Sequence, residues 1–176
     1  MAIKPVIYRA RVTRNDIDHD QYDNFTVSVA LHPSETLERM MARLIAYSLN
    51  YQEFITFTKG LSSPDEPDIQ AKALNDEFLL WIDVGEPQHL RIKKASRRAK
   101  SVKIYSFNEK SDTWWASERK KIIQYVKEVY QFQWQDMVML ASMVERTIEM
   151  AMTITGHSAY ITINNGEREM TWVQLD

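Results

Sequence analysis

The 176-residue chain contains no cysteine. Disulfides, thiolate metal ligands and cysteine nucleophiles are thereby excluded together, and any metal would have to sit on oxygen or nitrogen. Glycine and proline are sparse, with four and five residues, and a composition 44% hydrophobic and 26% charged leaves little chain for disordered linkers. No stretch approaches the roughly 18 uncharged apolar residues that a membrane helix requires. The opening "MAIKPVIYRARV" is interrupted by Lys4, Arg9 and Arg11 and lacks the apolar region of a signal peptide. A cytoplasmic protein with no membrane association is the expectation. Charge of one sign is missing too: the formal net charge is -2, which argues against a chain that coats nucleic acid over its whole surface. One segment departs from that average. From Arg91 to Lys103 there are seven Lys or Arg and no acid.

The length suits one well-filled core, so residues 1–176 are expected to form a single domain. "VIYRARV" and "FTVSVAL" alternate with a period of two and read as strands of a hairpin, joined by the long polar loop "RNDIDHDQYDN". "HPSETLERMMARLIAYSLN" changes to helical spacing through Leu37, Met40, Met41, Leu44 and Ile45, with Ser34 as the expected N-cap. A short strand "FITFTKGL", the turn "SSPDEPD" and the unassigned "IQAKALND" lead to the strand "EFLLWIDVG". "LRIKKASRRAK" reads as a helix with the narrow apolar stripe Ile92, Ala95 and Ala99, and "SVKIYSF" as the next strand. A strand, helix and strand at this spacing form a crossover, which makes the two strands parallel neighbours. Two further helices are expected, "DTWWASERKKIIQYVKEVY" and the Met-rich "DMVMLASMVERTIEMAM", then strands "AYITI" and "EMTWVQL" turning at Asn164, Asn165 and Gly166. The fold class is α/β: a mixed sheet flanked by helices, with an N-terminal hairpin and a C-terminal helix plus hairpin.

In open α/β sheets, ligands bind at the carboxyl ends of strands, and Asp83 stands at such an end. The turn before it supplies Asp65, Glu66 and Asp68, Glu35 opens the first helix, and Lys93 and Lys94 follow Asp83 by one loop and one helical turn. Mg²⁺ takes one or two carboxylates and completes its octahedron with water and phosphate oxygens. It can generate a hydroxide and stabilise a leaving oxygen, while a lysine adds positive charge where the transition state becomes negative. A cationic helix would hold the remaining phosphates. Acid-rich turns and basic helices are, however, ordinary solvated features, and spacing alone does not choose between the readings.

"HPSETLERMMARLIAY", "FTKGLSSPDEPD", "LLWIDVGEPQHLRIKKA" and the pair Trp114–Trp115 together resemble the YaeQ family of bacterial proteins, in order and along nearly the whole chain. The resemblance implies a fold similar to the PD-(D/E)xK nucleases with a variant active site. In those nucleases a helical Glu, an Asp, a strand acid and a Lys two residues later gather at one end of a mixed sheet. Carried over, the helical Glu is Glu35, the first acid lies in the "PDEPD" turn and the strand acid is Asp83. This sequence departs from the pattern at three points. Gly85 stands where the lysine is expected, leaving only Lys93 or Lys94 to replace it, the strand acid is Asp rather than Glu, and Gln88 occupies a position where an acid is expected.

Two functions follow as expectations. The first is a metal-dependent nuclease-like protein acting on a phosphodiester of nucleic acid. Asp83 with Asp65 or Asp68 would hold Mg²⁺ or Mn²⁺, Glu35 would orient a metal water, Lys93 or Lys94 would stabilise charge, and Arg91, Arg97 and Arg98 would position phosphates. The second is a non-catalytic module of the same fold that uses the basic helix 91–100 to bind nucleic acid or an acidic protein partner. The sequence leaves oligomeric state open.

Other signals are set aside. Asp16, Asp18 and Asp20 begin like an EF-hand, but Gln21 replaces its glycine and Val27 its terminal Glu. His32 and Ser34 do not define a triad, and His19, His89 and His157 have no metal-ligand spacing. The methionines from Met137 to Met152 read as core filling and Trp114–Trp115 as helix anchors ahead of base stacking.

Overall fold

The computed structural model describes residues 3–59 and 64–176. Residues 60–63, the end of the expected strand "FITFTKGL" and the start of the "SSPDEPD" turn, lie outside the described residues. Among the described residues are ten strands and four helices, a mixed α/β protein. The chain divides into two compact units, one of Met1–Leu44 with Gln133–Trp172 and one of Ile45–Phe132 with Val173–Asp176.

In the first unit, β1 (Val6–Asp16) and β2 (Gln21–Leu31) pair antiparallel along their whole length, from Val6 opposite Leu31 to Asp16 opposite Gln21. The expected polar loop is therefore shorter than its composition suggests. Arg14, Asp16 and Asp23 belong to the strands, because Arg14 points inward and is neutralised by Asp16 at 3.0 Å and Asp23 at 2.9 Å. β8 (Thr147–Thr155) lies parallel to β1, and β9 (Ser158–Ile163) and β10 (Gly166–Gln174) continue antiparallel, giving the order β2-β1-β8-β9-β10. The turn at Asn164 and Asn165 is the two-residue connection its sequence predicts, with Asn164 at φ 51°.

The expected Met-rich helix is corrected. Only α4 (Trp134–Ser142) is helical, and the second half of the segment is β8. Ile148, Met150, Met152 and Ile154 are buried while Thr147, Glu149, Thr153 and Thr155 are exposed. Strict alternation with β-branched ends favours a strand over the helix that Met, Glu and Ala would otherwise support. The first helix, α1 (Leu37–Leu49), also begins later than expected. Thr36, not Ser34, caps it, accepting the Arg39 backbone N–H at 3.2 Å, so Glu35 precedes the helix instead of occupying its first turn.

The second unit carries β3 (Ile55–Phe57), β4 (Ile69–Lys72), β5 (Phe78–Val84), α2 (His89–Arg98), β6 (Ala99–Ser106), α3 (Ser111–Ile122) and β7 (Glu128–Phe132), in the order β7-β6-β5-β4-β3. The unassigned "IQAKALND" supplies β4, antiparallel to β5. β5 and β6 are parallel neighbours joined through α2, as the crossover predicts, with Asp83 opposite Ile104. The stripe of α2 is Ile92 and Ala95, buried with Phe78, Trp81, Val102, Ile104, Ile122, Val126 and Val129. Ala99 is already the first residue of β6. Small residues bring α2 close to the sheet and leave Lys94, Arg97 and Arg98 exposed.

Gly85 ends β5 at φ +128°, donating its N–H to the Tyr105 carbonyl at 2.8 Å. An added Cβ would meet no atom within 4 Å, so the glycine is required by backbone conformation alone. Gly85→Ala is expected to cost about 1–3 kcal/mol in urea denaturation. A variant as stable as the parent would show that this turn relaxes freely.

Candidate functional site

β5 lies between β4 and β6, and all but one of its seven residues are buried. A carboxylate on such a strand needs strong partners, since an unpaired buried charge is costly. Asp83, 2% exposed, finds them in Arg91. The connection through Gly85 turns the chain back, and Arg91 meets the carboxylate side-on, Nε to Oδ2 at 2.7 Å and Nη2 to Oδ1 at 2.9 Å. Trp81, two residues earlier on the same face, donates Nε1–H to Oδ1 at 3.2 Å. The same guanidinium donates to the carbonyls of Pro64 at 2.5 Å and Glu66 at 2.6 Å. Burial pushes the Asp83 carboxyl up from its ordinary value, with the Arg91 hydrogen bonds and charge working against that rise and the nearby Asp68 adding to it. For Arg91, burial acts downward, but the Asp83 hydrogen bonds and charge prevail and hold the guanidinium above its ordinary value.

Asp68 is buried beside this pair, its Oδ2 accepting the Val84 N–H at 2.8 Å while its own N–H donates to the Ile82 carbonyl at 3.0 Å. Asp65 is exposed. Lys94 reaches its carboxylate at 3.2 Å, and Arg98 donates to its carbonyl at 2.8 Å while lying over the Phe78 and Trp81 rings at 5.1 and 5.4 Å. Lys93 sits 5.9 Å from the Tyr125 ring, and Arg97 is exposed. The fold thus brings together Asp65, Asp68, Asp83, Arg91, Lys94 and Arg98. Glu35 belongs to the first unit and has its own partners there: Arg43 forks onto it at 2.7 and 2.8 Å, Arg39 donates at 2.9 Å, and the His32 N–H at 3.1 Å.

These residues do not fit an octahedral Mg²⁺ or Mn²⁺ centre. Both Asp83 oxygens already accept hydrogen bonds from Arg91, and among the described residues no group of three or more His, Asp or Glu side chains is placed to hold a metal. Expected on a nucleic-acid phosphate, the Arg91 guanidinium is instead directed inward onto Asp83 and the 64–66 turn.

Several contributors escaped the sequence reading. Glu118 of α3 accepts both the backbone N–H of His89 and its ring Nδ1 at 2.8 Å, satisfying the start of α2. Glu86 accepts from the Asn108 side chain at 3.1 Å and Ser111 Oγ at 2.9 Å. Trp114 donates to the Pro87 carbonyl at 2.9 Å, and with Trp115 it packs against the core, which is the anchoring role. The last turn of α3 adds Arg119, Lys120 and Lys121, and Lys127 follows, all exposed. A second charge run was visible in "ERKK", but nothing in the sequence said it lies on a helix packed beside α2.

Fold and site define a mixed α/β protein whose strand-end carboxylate is closed by an arginine beneath a cationic helix. A family model described as YaeQ protein matches residues 1–172, and the chain belongs to the YaeQ family. It is 33% identical over 179 residues to the YaeQ protein of Escherichia coli and 34% identical to that of Salmonella typhi, each alignment covering 99% of both chains. The crystal structure of YaeQ from Pseudomonas syringae superposes with a TM-score of 0.92 at 29% identity, over 98% of this chain and 96% of that one. YaeQ from Xanthomonas axonopodis pv. citri gives 0.90 at 27% identity, over 97% of each.

Two measurements test the roles assigned above. Glu35→Ala removes the carboxylate from Arg43, itself 2% exposed, and is expected to cost about 3–5 kcal/mol in urea denaturation. A loss within error of zero would mean that Glu35 is dispensable to its unit. The backbone N–H and then the ring of His89 hold the Glu118 carboxyl below its ordinary value. A depressed carboxyl contributes stability above its unfolded pKa and loses it as pH falls through its lower folded value. Glu118→Gln should therefore be less stable than the parent at neutral pH and converge with it in acid; a gap independent of pH would contradict this.

Proposed function

We propose that the protein is a non-catalytic nucleic-acid-binding module that grips the phosphate backbone with the cationic faces of α2 and α3. One observation carries the reading. Lys94, Arg97, Arg98 and Lys100 are exposed along α2 and the start of β6, and Arg119, Lys120, Lys121 and Lys127 are exposed on and after α3. The two helices are joined through His89 and Glu118, and Lys93 meets Tyr125, so the two sets belong to one packed pair of helices. Lys100 and Lys127 line a common cleft of about 210 Å³ with Ser96, Ser101, Tyr125 and Glu128, whose carboxylate is paired with Lys103 at 3.3 Å. A net charge of -2 makes this concentration local, as expected for a patch that orients a polyanion. Phosphate contacts are the dominant affinity term for nucleic acid, and they need no base-reading pocket.

A PD-(D/E)xK-like core belongs to this proposal. The parallel β5-α2-β6 crossover, with an acid near the carboxyl end of β5 and a second acid just before the adjoining β4, supports it. Phosphodiester hydrolysis with Mg²⁺ or Mn²⁺ is the competing reading, favoured by the nearness of the buried Asp68 to Asp83. It requires Asp83 to give up Arg91, and for that reason we rank it second.

Fluorescence anisotropy with short labelled DNA and RNA, single- and double-stranded, separates the two. Binding should persist in EDTA and weaken steeply with salt, and Lys94→Glu with Arg97→Glu should lower affinity by at least about tenfold. Asp65→Asn should raise affinity, since it removes the carboxylate that competes for Lys94. Unchanged affinity in the double charge reversal would overturn the reading, and Asp83-dependent cleavage that requires metal would favour the competing one.

A further inference from the structure

Asp83, the Pro64 carbonyl and the Glu66 carbonyl present four oxygens to one point, and all four accept from Arg91 at 2.5–2.9 Å. We infer that these oxygens form a cage shaped for a guanidinium, and that Arg91 is its resident cation in place of a divalent metal. The inference does not depend on nucleic-acid binding, because it rests on different atoms.

Size decides between the two cations. An oxygen hydrogen-bonded to a guanidinium nitrogen lies roughly 3.5 Å from the central carbon, given a C–N bond of about 1.33 Å and N···O near 2.7 Å. Mg²⁺ draws its oxygens in to about 2.1 Å and Ca²⁺ to about 2.3–2.6 Å. A cage of the wider radius is too open for direct coordination by either ion. Its geometry instead matches the planar fork: Nε and Nη2 take the two carboxylate oxygens, the second Nη2 hydrogen takes Glu66 and one Nη1 hydrogen takes Pro64, using four of the five donors. The wall of the cage fits as well. Trp81 donates to Asp83 Oδ1 and offers its ring to the guanidinium at 5.8 Å, an arrangement that suits a weakly hydrated planar cation better than a hydrated metal ion.

The cage also explains why a turn can stand against a helix without regular structure of its own. Arg91 bonds the turn only through carbonyls, so the side chains of Asp65 and Glu66 are left outside the cage, where Asp65 meets Lys94. One cation closes the strand end, fixes the 64–66 turn and neutralises Asp83.

The test is chemical rescue. Arg91→Ala is expected to melt roughly ten degrees below the parent, and millimolar guanidinium chloride should recover several of those degrees relative to the same concentration of NaCl, with no such gain in the parent. Mg²⁺ and Mn²⁺ should leave the melting temperature of both proteins unmoved. Should Arg91→Ala fail to fold, Arg91→Lys replaces it: an ammonium keeps the charge but cannot fork, so that variant should also melt well below the parent. Calorimetric titration of Mn²⁺ into the parent should give no heat that Asp83→Asn removes. Rescue by Mn²⁺ instead of guanidinium, an Arg91→Lys variant as stable as the parent, or Asp83-dependent Mn²⁺ binding to the parent would each overturn the inference.

Discussion

The forked pair of Asp83 and Arg91 is the constraint on which the second unit's surface depends. Burying two opposite charges does not by itself stabilise a fold, because desolvation offsets much of their attraction. What the pair supplies is position. Its bonds tie the end of β5, the first turn of α2 and the 64–66 turn to a single guanidinium. An apolar side chain of the same volume could fill the space, yet it would leave the Pro64 and Glu66 carbonyls to find other donors. The orientation of α2, and with it the direction in which Lys94, Arg97 and Arg98 point, follows from this junction.

Around that fixed pair, the remaining charge pairs are of another kind. Lys94 with Asp65 and Lys100 with Glu77 are well exposed on both sides, at 73% and 70% and at 62% and 44%. Exposed pairs contribute about 0–1 kcal/mol, so exchanging Asp65 or Glu77 for a phosphate oxygen costs little. The Asp83 side chain, 3% exposed, cannot be exchanged so cheaply. Burial therefore sorts the cations of one helix into two roles. Arg91 is committed to the fold, and Lys94 and Arg97 keep their charge at the surface.

Much of this was legible in the sequence. An apolar strand, a helix with a small-residue stripe and a second strand at this spacing form a crossover with parallel neighbouring strands, and that alone sets Asp83 at a strand end. The partner was harder to find. Arg91 is one cation in a run of seven, and only three-dimensional proximity separates the one that turns inward from those that do not. The misreading at Thr147–Thr155 has a different cause: Met, Ala and Glu carry high helix propensity, while the alternation of Ile148, Met150, Met152 and Ile154 was the stronger signal. Arg14, Asp16 and Asp23 have the composition of a loop, and only their mutual pairing makes charged residues fit inside a strand. The role of Glu35 was lost for the same reason, since Arg43 lies eight residues away on the far side of a helix start.

That spacing of eight recurs. Glu35 with Arg43 and Asp83 with Arg91 are both carboxylates placed before a helix and gripped side-on by an arginine from within it. In each case the arginine also donates to a backbone carbonyl outside the helix, Ala30 at 2.6 Å for Arg43 and Pro64 and Glu66 for Arg91. The physical reason is shared. A chain entering a helix must satisfy the backbone groups of a turn that has no ladder of its own, and a guanidinium with five donors can serve a carboxylate and carbonyls at once where a lysine cannot. With no cysteine to staple such junctions, the fork does the pinning in both units. Because the fork has the same form in a unit where no functional cluster is proposed, its presence at Asp83 is explained by helix entry, and the exposed cations that follow it are what distinguish α2 from α1.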